Sequence, residues 1–274
     1  MNWWDLLLIN PFTNALLWIY DVIGHNYGIA IILFTILIRL ITWPLNGQQL
    51  KGAKVMQDLQ SDKEWLDIQK KYAKDKEKLA QEQMRIYKER GINPFASCLP
   101  TLIQFPIIIG LYQSITRALA TTPLGLLQLA RGIYPSLLNT AAIIPLNSHF
   151  LWMDLGRPEG IPFPAGFAVS FLPYGFPTLA IIVAITTYLQ TKLTMPAPST
   201  SNPKDQTAAM TGMMSIYMPL LLGYFALNFA SGLAVYFVTS NVLGIVQYAM
   251  MGRVNWRNLL PGAKQPALPA GRKK

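Results

Sequence analysis

A positive charge stands inside an apolar run. Arg39 lies within residues 28–45, GIAIILFTILIRLITWPL, nearer the middle of that run than its end. A bilayer is crossed by a helix of about 20 apolar residues, so the run is about long enough to span one. At that depth a guanidinium costs about 2.5–3.5 kcal/mol on insertion-based scales. Thr35, Arg39, Thr42 and Asn46 follow one another at steps of four, three and four, which puts them on one face of a helix. The bland alternative is an arginine snorkelling to the nearer headgroups. The stripe continues on both sides of Arg39, which favours a polar lining with a fixed charge in it.

Other segments offer matching groups. Ser97, Thr101, Gln104 and Tyr112 share a face of a second apolar stretch, and Tyr236, Ser240 and Gln247 share a face of the last one, with Asn241 to one side. Any single Ser or Thr here reads better as interhelical glue, at about 0.6–2 kcal/mol per hydrogen bond. Gln104 is harder to dismiss, because its amide needs several partners among Leu, Ile, Phe and Pro. Three polar faces, one of them cationic, point to a hydrated cavity that would accept an anion or a polar peptide.

Catalytic chemistry is harder to find. His25 and His149 are isolated, no proposed span contains Asp or Glu, and there is no Gly-rich phosphate loop. A Ser–His or Ser–Lys dyad lacks its second member at membrane depth. Proton- or sodium-coupled transport usually leaves an intramembrane carboxylate, and none is present. The expectation is a protein without enzymatic activity, metal or cofactor. The lone cysteine, Cys98, reads as an inert buried thiol.

Composition places these faces in a membrane. The 274 residues are 52% apolar and 13% charged, against about a quarter charged in soluble domains. The net charge of +10 is uneven: residues 1–38 hold no Lys or Arg, residues 47–93 hold eleven, and the tail from Gly252 holds six. The basic-residue rule puts the 47–93 loop and the tail in the cytoplasm. The reading is an all-α membrane protein, a five-span helical bundle with a hydrophilic groove and a cytosolic antiparallel helical hairpin. Its spans are 27–46, 95–117, 174–194, 212–229 and 232–250, the last two joined tightly at Ala230-Ser231-Gly232. Five spans put the N-terminus outside and the C-terminus in the cytoplasm. No cleavable leader is recognised, so the first span is expected to be retained.

The connecting segments complete the plan. Residues 1–26 suggest an amphipathic helix in the outer interface, with Trp3, Trp4 and Trp18 at headgroup level. A sixth span there is disfavoured because Asn10-Pro11 breaks the run. Residues 47–93 carry eight acids beside their eleven bases. There Val55, Leu59 and Leu66, then Ala80, Met84 and Tyr87, mark the apolar faces of two helices joined near Tyr72–Asp75, with surface pairs such as Glu82 and Arg85. The external segment 118–173 is Pro-rich, with a short helix expected over 137–146. The loop 195–211 is cytosolic and flexible, and 251–274 is a basic tail.

The stretch 68–112, IQKKYAKDKEKLAQEQMRIYKERGINPFASCLPTLIQFPIIIGLY, resembles the hairpin and following span of the YidC-type membrane protein insertases (the YidC/Oxa/Alb superfamily). FLWMDL at 150–155 is similar to the segment before that family's next span, and SGLAVYFVTSN at 231–241 to its last hairpin. Arg39 in ILIRLITWPL matches the family's groove arginine, and the likeness runs from about residue 10 to residue 250. With no large periplasmic domain, lipoprotein signal or transit peptide recognised, a short bacterial form in the plasma membrane is implied.

The resemblance implies a groove open to the cytosol and lipid and closed outside, lined by Arg39, Gln104, Thr35, Thr42, Asn46, Thr101, Tyr236, Ser240 and Gln247. Short polar segments of nascent membrane proteins would enter it, and their apolar helices would leave sideways into lipid, without nucleotide. Implied partners are nascent membrane proteins, the ribosome through the basic tail and cytosolic loops, the Sec translocon, the signal recognition particle pathway and membrane lipids. Two other readings of the residues are an anion or small-solute transporter using Arg39 as binding charge, and an assembly subunit whose Arg39 pairs with a partner's carboxylate.

Overall fold

The protein is described here from a computed structural model covering residues 2–47, 55, 59, 62–72, 75–91, 99–120, 122–135, 146–161, 175–194, 206–252 and 254. Ser97, Cys98, the expected helix over 137–146, most of the 195–211 loop and the six basic residues of the tail lie outside these residues. The chain is mostly helical. Helix α1 (Asn10–Val22) continues a π-helical turn over Asp5–Ile9 and leads into α2 (Tyr27–Ile41). The charged segment that follows holds α3 (Lys63–Lys71) and α4 (Lys76–Glu89). Then come α5 (Leu99–Ala118), α6 (Pro123–Gly132), α7 (Thr178–Thr194), α8 (Gln206–Asn228) and α9 (Ser231–Met250). Among the described residues α9 alone is both long and apolar enough to cross a membrane, while α2, α7 and Ser215–Asn228 are shorter apolar helices. One element departs from an all-α chain, a two-stranded antiparallel ladder of β1 (His149–Phe150) and β2 (Met153–Asp154).

Residue offsets give the helix directions. Arg39 meets Ser240, Asn46 meets Gln247, and a side chain on Gly232 would meet Ile31, always 201 residues apart. Helices α2 and α9 therefore run the same way, side by side. The offset from α7 to α9 is also constant: Thr187 bonds Asn241 and Gln190 abuts Gly244, both 54 apart. By contrast, Gln104 meets Tyr236 while Ile115 meets Gly232, so α5 runs opposite to α9. Helix α8 turns back into α9 through Phe229 and Ala230 alone. The core these helices share is built from Ile31, Phe34, Leu111, Ile115, Leu179, Val183, Leu233 and Tyr236. Much of the opposite surface is apolar, including Leu33, Leu37, Phe105, Ile109, Ile185, Leu220, Val242 and Val246.

The first turns of α2, α7 and α9 are stitched together by the 148–161 segment. Phe150 lies against α2 where Gly28 leaves room; a Cβ there would fall 2.2 Å from the ring. The carbonyls of Arg157 and Leu155 accept from the backbone N–H groups of Ser231 and Gly232 at 2.8 and 3.0 Å, satisfying two free donors of the α9 N-terminus. Glu159, itself buried, accepts from the Trp152 indole, the Thr178 hydroxyl and the Leu179 N–H, and so caps α7.

Pro11 does not break the N-terminal helix. Asn10 N–H bonds the Asp5 carbonyl in the wider i→i+5 register, and this bulge accommodates a proline that would otherwise clash one turn back. The resulting helix buries Leu16, Leu17, Ile19 and Tyr20 in the shared core and exposes Trp3, Leu7 and Trp18. Asp5 pairs with Arg117 at 2.6 Å, and Trp4 donates to Gln113, fastening its start to α5. Helix α6 occupies external chain in which no helix was expected there, although Thr122 followed by Pro123 is a helix-start signal.

The hairpin has its own small core of Leu59, Trp65, Ile68 and Ile86, flanked by Tyr72, Leu79 and Tyr87. This corrects the expected faces: Val55, Ala80 and Met84 are exposed, and Leu66 is only half-buried. Spacing of seven was weighted over the i,i+3 pair Trp65 and Ile68, whose larger surface gains more from burial. Ion pairs close the outside. Arg85 binds Glu82 and Glu89, and Arg90 reaches across to Asp62 and Glu64.

Two tests follow from this packing. Gly28→Ala must displace the Phe150 ring and should lower stability in detergent by about 1–3 kcal/mol; Gly47→Ala, with no atom within 4 Å of the added carbon, should leave the thermal midpoint unchanged. In the hairpin, the bond from Arg90 holds the Asp62 carboxyl below its ordinary value, helped by the Glu64 N–H. Its contribution is therefore complete above about pH 4 and lost as pH falls through the lowered value. Being exposed, it should amount to at most about 1 kcal/mol. Protease resistance of the hairpin should drop in that acid window, and Asp62→Asn should flatten the change.

Candidate functional site

Helix α9 carries the site. Tyr236, Ser240, Gly244 and Gln247 follow at steps of four, four and three, all buried, and face α2, α5 and α7. At the first level, Gln104 Nε2 donates to the Tyr236 hydroxyl. One turn on, Arg39 grips Ser240: Nε donates to Oγ at 3.1 Å, and Nη2 donates to Oγ at 2.6 Å and to the main-chain carbonyl at 2.7 Å. That carbonyl is free to accept a second bond because it has two lone pairs. Below lies Gly244, where a Cβ would sit 2.5 Å from the Gln190 amide and 3.5 Å from Arg39 Nη2. At the last level Asn46 Nδ2 donates to Gln247 Oε1 at 3.3 Å. Gln247 Nε2 is buried without a partner, a state that costs about 1–3 kcal/mol when nothing compensates it.

Arg39 is not in mid-helix. It occupies the last turn of α2, which ends at Thr42 before a further helical piece over 43–47. Pro44 supplies the reason, having no N–H and clashing one turn back. The break leaves Arg39 half-buried, its head turned inward to α9.

Six of the sequence-derived residues meet along this line: Arg39, Asn46, Gln104, Tyr236, Ser240 and Gln247. Thr35 and Thr42 share the α2 face, but their hydroxyls donate to the carbonyls of Ile31 and Ile38 at 2.6 and 2.9 Å. Thr101 lies on α5, its side chain outside the described set. Tyr112 stacks edge-on with Phe229 in the core, and Asn241 binds Thr186 and Thr187 of α7. Gly244, Gln190 and Tyr248, whose phenol lies within electrostatic reach of Arg39, were not picked out from the sequence. Gly244 had a visible signal, a residue without a side chain in the middle of a polar row.

The cluster presents amide and guanidinium donors, with no carboxylate in α2, α5, α7, α8 or α9. Among the described residues no group of His, Cys, Asp and Glu could hold a metal. Such a site can hold carbonyls or anions by hydrogen bonding.

Residues 18–257 match the 60Kd inner membrane protein family. The chain belongs to this family, that of the YidC-type insertases. The membrane protein insertase MisCA of Bacillus subtilis is 33% identical over 251 residues, 90% of this chain and 78% of the relative. The membrane protein insertase YidC of Oceanobacillus iheyensis is 31% identical over 255 residues, 91% of this chain and 84% of that one. In fold, the chain resembles the crystal structure of an active YidC insertase with its first transmembrane domain resolved, at a TM-score of 0.52 and 24% identity. That match covers 90% of this chain and 46% of the other, so the chain spans just under half of the solved protein.

The glycine in the row makes a direct test. Gly244→Val should push the Gln190 amide and the Arg39 head apart and lower stability by about 1–3 kcal/mol, read as a fall in thermal midpoint in detergent.

Proposed function

We propose that this chain is a membrane protein insertase of the bacterial plasma membrane, with the row on α9 as the lining of its substrate groove. The observation that carries the reading is the Arg39–Ser240 contact, a cation held by a hydroxyl and a carbonyl in helices free of carboxylates. An arginine paired in this way keeps its charge uncompensated and available to an acidic group in transit. A short polar segment of a nascent membrane protein enters from the cytosol, meets Arg39 and the amides, and is relieved of part of its desolvation cost. The substrate's apolar helix then moves into lipid, and its burial drives the step without nucleotide.

Five spans suit this function, with the N-terminus outside. Support comes from the common direction of α2, α7 and α9 and the opposite run of α5. The stitched external ends support closure on that side. Thr35, Thr42 and Thr101 extend the groove wall. The hairpin and the basic tail are proposed to receive the ribosome, with the Sec translocon and signal recognition particle pathway as further partners. The tail's charge suits ribosomal RNA and anionic lipid alike.

The decisive experiment is insertion of a short single-span substrate into liposomes containing only this protein. Insertion above that of empty liposomes is expected, and equality would refute the reading. Arg39→Ala should lower insertion of substrates with an acidic leading segment by about 10-fold, the loss of one charged hydrogen-bonded contact. Arg39→Lys should largely retain it. Equal loss in both would mean that the guanidinium fork, not the charge, is what the site requires.

A further inference from the structure

The Gln247 amide is buried, oriented, and half unused. Its oxygen accepts from Asn46 at 3.3 Å, a long bond, while its nitrogen has no partner among the described residues. Only 2% of the residue is exposed. Buried polar groups in native proteins are nearly always paired, and those that are not call for a physical account. The orphan lies in the row that includes the Arg39–Ser240 contact, two turns along α9. Asn46, which covers it, belongs to the 43–47 piece beyond the Thr42 break, so the cover is separated from α2 proper.

Resting on the insertase reading, we propose that Gln247 is a main-chain docking position for an extended polypeptide in the groove, and that Asn46 holds its place when the groove is empty. A carboxamide presents a donor and an acceptor side by side, and so does one residue of an extended chain, whose own N–H and C=O point the same way. A passing chain would offer its N–H to Oε1, replacing Asn46 Nδ2, and its carbonyl to the vacant Nε2. Backbone groups that leave water need such partners at every step of a crossing. Arg39 reads charge on the substrate; Gln247 reads backbone and is indifferent to sequence.

The test uses the full chain in liposomes and two single-span substrates that differ only in an acidic or a neutral leading segment. Gln247→Leu should reduce insertion of both by the same factor, about 3- to 10-fold, the scale of one hydrogen bond. Its thermal midpoint in detergent should not fall, since the change removes an unsatisfied buried donor. Gln247→Met reads the same way should the leucine variant not fold. Undiminished insertion, a loss confined to the acidic substrate, or a loss accompanied by a lower midpoint would each overturn the proposal. A wild-type protein no better than empty liposomes would instead overturn the insertase reading beneath it.

Discussion

A half-buried guanidinium stays charged and has only donors, so acceptors around it must replace the water it has lost, and that requirement organises the polar row of this bundle. Ser240 meets it with a hydroxyl and a carbonyl, at 2.6 and 2.7 Å from Nη2. Neither acceptor carries a charge. The interaction stabilises the cation by hydrogen bonding but leaves its field unneutralised, unlike a buried ion pair, whose partner would cancel it. A carboxylate in place of Ser240 would hold Arg39 more tightly and remove it from chemistry.

The same contact fixes geometry. Arg39 reaches the Ser240 carbonyl across the α2–α9 interface beside Gly244, whose missing side chain leaves room for the Gln190 amide. Bringing α2 that close sets the 201-residue offset that recurs at Gly232 and Gln247. Helix α9 is thus the central strut. α2 and α7 lie along it in one direction and α5 in the other, and each contributes a single polar group per level. The polar groups do not form one network. Thr35, Thr42 and Asn241 are satisfied locally or by α7, which keeps the row on α9 available.

Much of this was legible in the sequence. The steps of four, three and four around Arg39, and those linking Tyr236, Ser240 and Gln247, assign faces by periodicity alone, and six of the nine named residues do meet. What periodicity lacks is the identity of the partner across the interface. It could not tell that Thr35 would bond its own helix, since a hydroxyl serves the i−4 carbonyl as readily as a neighbour. Nor could it weigh glycine, whose effect is an absence of volume. The π-helical passage around Pro11 illustrates the same limit, because a local rule for proline yields where a wider turn and tertiary packing absorb it. In the hairpin, Trp65 and Ile68 were passed over for weaker hydrophobes at a more regular spacing.

The two ends of the bundle differ in kind, and the difference gives the site a direction. At the end where α2 and α9 begin, contacts are mostly apolar or satisfied, the buried Tyr27 hydroxyl being an exception among the described residues. Phe150 fills the notch at Gly28, Leu155 is buried, and Ser231 and Gly232 give their N–H groups to the loop carbonyls. Moving along α9, the row changes from Leu233 to Tyr236 to Ser240 and finally to an amide with an unmet donor. Polar capacity therefore rises steadily toward the end that carries the basic segments. On the insertase function proposed above, a polypeptide segment entering from that end would find more hydrogen-bonding capacity in the row than the bundle itself uses, and would meet Arg39 before the apolar packing around Leu233 and Phe150.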